Sequence, residues 1–352
     1  MSPTLFNAVL EDVFHELTPK WKSECRGLDV GSLRGERLTN LRFADDVVLF
    51  ASSLSEARHM LEDLVKASIT RGLVIHPKKT KITSNCSDQK RPNSSREVEV
   101  AGHQIEVLPL DGQTKYLGRA VCSKNFMAAE IENRIATGWK KFFALRDILC
   151  NKSYPLAKRV KLFDTAITPS ILYASGSWTM TVEFESRLRK TQRRMLRTIY
   201  QKGRLRQKRD DRTQSSSSLD EVELAPEEDD DLEPWPEFMK RVTREIEHHM
   251  DKLHIEDWVK LQRRRKFTWA GHVARRSDDR WSTTSLAWQP EEGPRQGGKG
   301  RGRKQARPCQ RWEDALCDFF GSYEFVSDWR LLAGDREEWN KLTMKFAEST
   351  LR

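Results

Sequence analysis

Residues 41–51 read Leu-Arg-Phe-Ala-Asp-Asp-Val-Val-Leu-Phe-Ala, two β-prone apolar runs on either side of an acidic pair, Asp45-Asp46. That pattern predicts a β-hairpin with its turn at or beside the carboxylates. Two adjacent carboxylates held at a fixed tip repel each other, and a divalent cation relieves the repulsion. Oxygen-only ligands suit Mg²⁺, with Mn²⁺ the nearest substitute. A pair of such ions clamps the attacking and leaving oxygens of a phosphoryl transfer. A bare Asp-Asp pair is more often a solvated turn, because Asp favours turns, so the surrounding chain has to decide between the two readings.

On the N-terminal side, Leu5, Phe6, Val9, Leu10, Val13, Phe14 and Leu17 recur at helical spacing after a Ser2-Pro3 start, which predicts an amphipathic helix over residues 3–17. On the other side, Ser53-Leu-Ser-Glu56 is a capping box. Ala57, Met60, Leu61, Leu64 and Val65 then form an apolar stripe, and Gly72 suits a left-handed helix end. Leu73-Val74-Ile75 is expected to start another strand. Helix, hairpin, helix and strand together predict an α+β layer with helices on one face of an antiparallel sheet. A polymerase palm has that layout, and so do many binding domains.

Phe43-Ala44-Asp45-Asp46 between apolar runs resembles the metal-binding hairpin of reverse transcriptases, in the form used by non-LTR (LINE-type) retrotransposons. Ser2-Pro3-Thr4-Leu5-Phe6-Asn7 is similar to the segment that opens the palm helix in that family. Gly72-Leu73-Val74-Ile75-His76-Pro77-Lys78-Lys79-Thr80-Lys81 resembles the segment beyond the hairpin, and Tyr116-Leu117-Gly118 resembles the strand turn that grips the primer. Four segments in one order are more specific than any one of them. The resemblance implies RNA-templated DNA synthesis from deoxynucleoside triphosphates. Asp45 and Asp46 would be metal ligands, Lys79 would lie near the departing pyrophosphate, and Tyr116, Leu117 and Gly118 would form the primer grip. A cation at Lys79 would stabilise charge developing on the leaving group; on charge alone, Lys78, Lys79 and Lys81 read as a solvated basic turn.

The resembled family needs another metal-binding Asp, and fingers that hold the nucleotide, upstream of the Ser-Pro segment. Met1 stands where that family has Gln-Gly. Asp12, on the palm helix, is a poor replacement. The expectation is a partial palm that is inactive as a polymerase by itself. The alternative is a non-catalytic nucleic-acid-binding protein derived from such an element, or a truncated gene.

Beyond residue 125, three amphipathic helices are expected at about 128–150, from Pro155, and at about 183–200. The last carries Arg187, Arg189, Lys190, Arg193, Arg194 and Arg197 on its polar side. The resemblance makes these a thumb-like bundle that tracks a template–primer backbone through phosphate contacts, with Arg134, Lys140, Arg193, Arg194 and Arg197 as candidate contacts. Residues 203–237, with Ser215–Ser218 and an acidic run from Glu227 to Asp231, read as a disordered linker closed by Pro234 and Pro236.

The remaining chain holds most of the eleven Trp, a basic run Arg263-Arg264-Arg265-Lys266, and a Gly/Arg stretch with Arg301, Arg303 and Lys304. Arg264, Arg265, Arg301, Arg303 and Lys304 are the nucleic-acid candidates here, since Gly/Arg-rich chain drapes along phosphates. Trp269, Trp312 and Trp339 are expected in the core. His272, Cys309 and Cys317 lack close ligand spacing, so zinc is not expected. The predicted domains are thus 1–125 (partial palm), 126–202 (thumb-like), 203–237 (linker) and 238–352 (a mostly helical, Trp-rich tail domain).

Composition agrees with a nucleic-acid partner. Lys+Arg 62 against Asp+Glu 52 gives a net charge of +10 over 352 residues, a balance that faces polyanions. No run of about 18 apolar residues is present, so no membrane partner is expected. Six Cys without regular spacing fit a reducing compartment, and an intracellular location follows, with nucleus and cytoplasm undecided.

Overall fold

The computed structural model describes residues 3–30, 37–84, 96–205, 232–278, 280–287, 311–321 and 328–349. The chain divides into two compact units, one of Met1–Glu130 with Val273–Cys309, the other of Ile131–His272 with Gln310–Arg352.

The first unit begins with helix α1 (Pro3–Ser23), which buries Leu10, Val13, Phe14, Leu17 and Trp21. It runs one turn and a half past the expected end, through Pro19. A proline there forfeits one helical hydrogen bond. The gain is Trp21, fully buried, whose Nε1 donates to Asp63 at 3.0 Å. The short strands β1 (Leu28–Asp29) and β2 (Arg37–Leu38) pair antiparallel. They are followed by the hairpin β3 (Asn40–Phe43) and β4 (Asp46–Leu49). Helix α2 (Leu54–Ile69) is capped by Ser53, whose side chain accepts from the Glu56 backbone N–H, a contact worth about 1 kcal/mol. Gly72 has φ +75 as expected of a helix end, and Leu73 N–H closes on Ser68 O at 2.9 Å.

The strand expected at Leu73–Ile75 is absent. Leu73 and Ile75 pack on the core and Val74 is 80% exposed. The alternation is real, but the segment is irregular. An apolar alternation specifies which side faces inward; it does not supply a hydrogen-bonding neighbour. The strands that do follow are β5 (Lys81–Ile82), β6 (Arg96–Val100) and β7 (His103–Val107), in the order β5-β7-β6, with β5 parallel to β7. β8 (Gln113–Tyr116) and β9 (Arg119–Cys122) form a further hairpin. The α+β class holds, with several small ladders among the described residues in place of one antiparallel sheet. The core gathers α1 and α2 residues with Val100 and Ile105, and Val47, Leu49 and Ala51 pack against it.

The second unit is helical. The first expected helix is two: α3 (Phe126–Ala144), which starts within the first unit's residues, and α4 (Arg146–Leu149). Then come α5 (Leu156–Ala166), α6 (Thr168–Ile171), α7 (Val182–Tyr200), α8 (Trp235–Lys252) and α9 (Trp258–Ala274). After α10 (Trp281–Ala287), which falls in the first unit's residues, come α11 (Asp314–Phe320), α12 (Trp329–Gly334) and α13 (Arg336–Glu348). Gly138 lets α3 approach α6, since a Cβ there would lie 2.5 Å from the Ile171 side chain.

Helices of the thumb-like segment and of the Trp-rich segment pack as one body. Trp258 stacks on Phe163 at 5.8 Å and its Nε1 donates to Thr168 Oγ1 at 2.9 Å. Trp339 stacks on Phe267 at 4.0 Å and 11° and donates to Phe267 O at 3.1 Å. A boundary between 126–202 and 238–352 is therefore not where the side chains separate. Trp339 is buried as expected and Trp312 half-buried, while Trp269 is 40% exposed. Pro234 and Pro236 open α8 as its N-cap and first-turn residues. Residues 206–231 of that segment lie outside the described residues.

Candidate functional site

The acidic hairpin is strapped to α1. Arg42 on β3 donates to Glu11 at 2.6 Å and lies 4.7 Å above the Phe14 ring. Val47 and Leu49 on β4 face the core, and Phe50 N–H extends the pairing to Thr39 O at 2.9 Å. Upstream, the Glu56 carboxylate accepts from Gly27 N–H at 2.5 Å and from Ser52 N–H at 3.0 Å. The reciprocal arm of the capping box is thus made to Ser52 and Gly27, one residue off the ordinary pattern. Gly27 has φ +92, and a Cβ would fall 2.6 Å from Leu38 O, so this turn admits glycine alone.

The tip is now defined. Phe43 pairs with Asp46, leaving Ala44 and Asp45 as the loop. Ala44 carries φ +51, a left-handed conformation that costs a non-glycine residue on the order of 1 kcal/mol. Phe43, Ala44, Asp45 and Asp46 are all exposed. A hollow of about 340 Å³ lies beside them, lined by Pro3, Phe6, Asn7, Ala44 and Asp45. The start of α1 and the tip of the hairpin, both picked out by sequence, therefore share one cavity.

Tyr116 of the expected primer grip ends β8, and Leu117 (φ +48) with Gly118 (φ +74) makes the tight turn into β9. Two positive φ values in a two-residue loop are the type I′ pattern that matches strand twist. Burial, and then the negative charge of Asp46, push the Tyr116 hydroxyl above its ordinary pKa. The Tyr116 hydroxyl thus lies within electrostatic reach of the acidic tip. Lys79 sits exposed on the turn after Pro77, its backbone N–H bonded to His76 O at 3.0 Å. Among the described residues it makes no ion pair with Asp45 or Asp46.

Asp12 is bound to Arg71 at 2.6 Å, with Glu16 at 2.9 Å on the same guanidinium. It serves to tie α1 to the end of α2. Among the described residues no group of three or more His, Cys, Asp or Glu side chains gathers to hold a metal. Two exposed carboxylates do fit one Mg²⁺ that keeps its waters and takes further ligands from substrate phosphates. They fall short of a two-metal set.

The candidate basic residues of the helical unit separate into two kinds. Several serve the fold. Arg134 is buried with its guanidinium 4.7 Å above Tyr173. Arg193 pairs with Asp257 at 2.7 Å and Glu247 at 3.3 Å. Arg264 binds both oxygens of Glu256, and Arg265 donates to Leu172 O at 2.5 Å. Within the same basic run, Arg263 forms a buried pair with Glu185 at 2.6 Å, and Lys266 lies 5.3 Å above the Trp312 ring. Others face solvent: Lys140 and Arg194 are exposed. Burial and the charges of Arg194 and Arg193 hold the half-buried Arg197 below its usual pKa. Arg301, Arg303 and Lys304 lie outside the described residues, as does Cys309.

Sequence reading missed Arg159, Glu185 and the ring pair Trp139–Phe143 on α3. Trp139 and Phe143 were visible as an i, i+4 aromatic pair, the spacing of neighbours on one helix face.

Residues 1–118 match the family model described as reverse transcriptase (RNA-dependent DNA polymerase). The front of the chain is reverse-transcriptase-like. That family takes nucleic acid substrates. A transposon-derived protein of Caenorhabditis elegans is 29% identical over 320 residues, covering 87% of this chain and 95% of its own length. No solved structure matches the chain. No helix among the described residues is long and apolar enough to cross a membrane.

Proposed function

We propose that Asp45 and Asp46 are the metal-holding part of an RNA-directed DNA polymerase site of the non-LTR retrotransposon kind, with residues 1–125 as part of a palm. The observation that carries this reading is the exposed carboxylate pair on a core-anchored hairpin, beside the hollow lined by Pro3, Phe6 and Asn7, within the reverse-transcriptase-like segment. Mg²⁺ held by the pair would stabilise charge on phosphoryl oxygens. Tyr116, Leu117 and Gly118 position the primer end next to Asp46. Lys79 approaches the departing pyrophosphate when substrate is bound. Lys140, Arg194 and Arg197 meet the nucleic-acid backbone, and so do Arg301, Arg303 and Lys304.

A second reading, non-catalytic nucleic-acid binding, is favoured by the commitment of Asp12 to Arg71 and by the lack of a third metal-binding acid among the described residues. In this reading the chain by itself does not extend a primer. One experiment separates the two. The full chain is incubated with a DNA primer annealed to an RNA template, deoxynucleoside triphosphates and Mg²⁺. Extension that is lost in Asp45→Ala supports the polymerase. Binding of the hybrid without extension leaves the second reading.

A further inference from the structure

On α3, Trp139 and Phe143 lie one turn apart, their rings stacked at 5.6 Å and 29°. Phe143 is 59% exposed. Its neighbour Phe142 is fully buried and meets both rings edge-on at 5.3 and 6.0 Å. Phe142 thus fixes the pair from beneath while Phe143 presents a face to solvent. The Arg194 guanidinium lies 5.5 Å over the Trp139 ring. Lys140 and Arg146 are exposed on the same stretch of chain, and Lys190 is exposed one turn before Arg194.

The exposed Phe143 ring is stacked on a second aromatic ring and flanked by cations, which sets it apart from a singly exposed apolar side chain. Core filling does not account for Phe143, because Phe142 does that work. The charge around the shelf is mainly positive, with the exposed Asp147 beside Arg146 as its acidic neighbour. Glu132 is engaged by Arg187 at 3.3 Å, and Asp257 and Glu247 are engaged by Arg193. Arg194 and Arg197 have no carboxylate partner among the described residues, and they repel each other. A polyanion would relieve that repulsion, and a polyanion with flat faces would also use the rings. Aromatic platforms beside a cationic track are how proteins hold unpaired bases without reading sequence.

We infer that Trp139, Phe143 and Arg194 form a stacking shelf for an unpaired nucleic-acid strand, with Lys140 and Lys190 following its phosphates. The shelf deepens the nucleic-acid reading of the helical unit and rests on it. It does not depend on polymerase activity, so a failed primer extension leaves it standing.

The test measures fluorescence anisotropy of a labelled oligodeoxythymidylate and of a blunt duplex of equal length, with the full chain and no added metal. Phe143→Ala should weaken the single strand roughly 5- to 150-fold, the range for one lost stacked base, and leave the duplex within about twofold. Phe143→Trp should retain binding and Phe143→Leu should not. Lys190→Gln should lower the salt dependence for the single strand by about one phosphate contact. Because Phe143 is mostly exposed, these variants should keep the parent thermal midpoint. Full single-strand affinity in Phe143→Ala overturns the inference. So does full affinity in Phe143→Leu, which would mark an apolar docking face for a protein. If the parent chain binds neither probe, the inference fails together with the nucleic-acid reading.

Discussion

The guanidinium of Arg159 on α5 donates to the carbonyl of Ile199 at the end of α7, at 2.8 Å. The same Nη1 donates to Leu149 O, at the end of α4, at 3.2 Å, and Nε donates to Tyr154 O at 3.0 Å. The last carbonyls of a helix have no partner within it and carry partial negative charge. One buried cation thereby satisfies the ends of two helices and the loop between α4 and α5.

Replacing Arg159 leaves those carbonyls buried and unpaired. Arg159→Met keeps most of the apolar stem, so the expected loss of about 3 kcal/mol is mainly that of the hydrogen bonds. It should appear as a lower urea midpoint with an unchanged slope. Arg159→Lys should recover only part, because one ammonium cannot span the three acceptors. A midpoint equal to the parent's in Arg159→Met would show that the helix ends find other donors.

The tip carboxylates make no ion pair that would tie them to the fold among the described residues. Both are exposed, and Ala44 beside them is held at a costly φ. Asp45→Asn should therefore leave stability within about 0.5 kcal/mol of the parent, as for surface changes away from structural contacts, and should abolish any metal-dependent extension. A large drop in thermal midpoint would show a structural role for the pair.

Lys266 gives a pH dependence of known sign. Burial pulls its pKa from 10.5 to about 8, against the favourable charge of Asp314. Its ammonium lies over Trp312 and donates to Trp178 O at 3.4 Å. Below about pH 8 both the folded and unfolded chains hold the proton, and the fold bears the full cost of the buried charge. Between about 8 and 10.5 the unfolded chain still binds a proton that the folded chain has released, so this site's contribution to stability rises with pH. Lys266→Met should be more stable than the parent at neutral pH, and the gap should narrow as pH approaches 10.5. Denaturant midpoints at pH 7 and pH 10 measure it. A gap that widens with pH would mean that the contacts to Trp312 and Trp178 outweigh burial.

Local chemistry was legible in the sequence where one short segment determined it. The hairpin at 41–51, the Ser53 cap and the left-handed Gly72 follow from neighbouring residues alone, while the Leu117-Gly118 turn was legible only through the resemblance. The features that escaped are set by distant partners. The apolar pattern reads as a helix over 3–17, yet α1 continues through Pro19 because Trp21 has a pocket and Asp63 to bond. Leu73–Ile75 reads as a strand, yet among the described residues no neighbouring strand pairs with it. Arg263 to Lys266 reads as a basic surface, yet Glu185, Glu256, Leu172 and Trp312 come from other parts of the chain to engage those residues. A run of positive charge in sequence does not reveal which members face solvent. Lys140 and Arg194 were distinguishable from Arg134 and Arg193 only once their partners were in place.

The segment between α7 and α8 reads in sequence as a linker between domains, but its two flanks are joined. Glu233 N–H donates to Leu205 O at 2.8 Å, and Leu205 N–H donates to the Glu233 carboxylate at 3.3 Å. Arg204 Nε donates to Glu233 O at 2.7 Å. Arg241 binds the Glu233 carboxylate at 2.8 Å and Gly203 O at 3.2 Å. The hydrogen bond from Arg241, with its charge and that of Arg204, holds the Glu233 carboxyl below its ordinary pKa. The chain therefore leaves and returns at one point of one helical unit. Closing a loop costs only about 0.6 kcal/mol more for each doubling of its length, so a long insertion here is cheap and a short one slightly cheaper. Replacing residues 206–231 by a two-residue Asn-Gly turn should leave the thermal midpoint within a few degrees and leave single-strand binding intact. The clamp itself should matter more. Arg241→Ala in the shortened chain should lower the midpoint, because Glu233 then loses its main partner. If removal of 206–231 unfolds the helical unit, then that segment supplies packing of its own and the joined flanks are incidental.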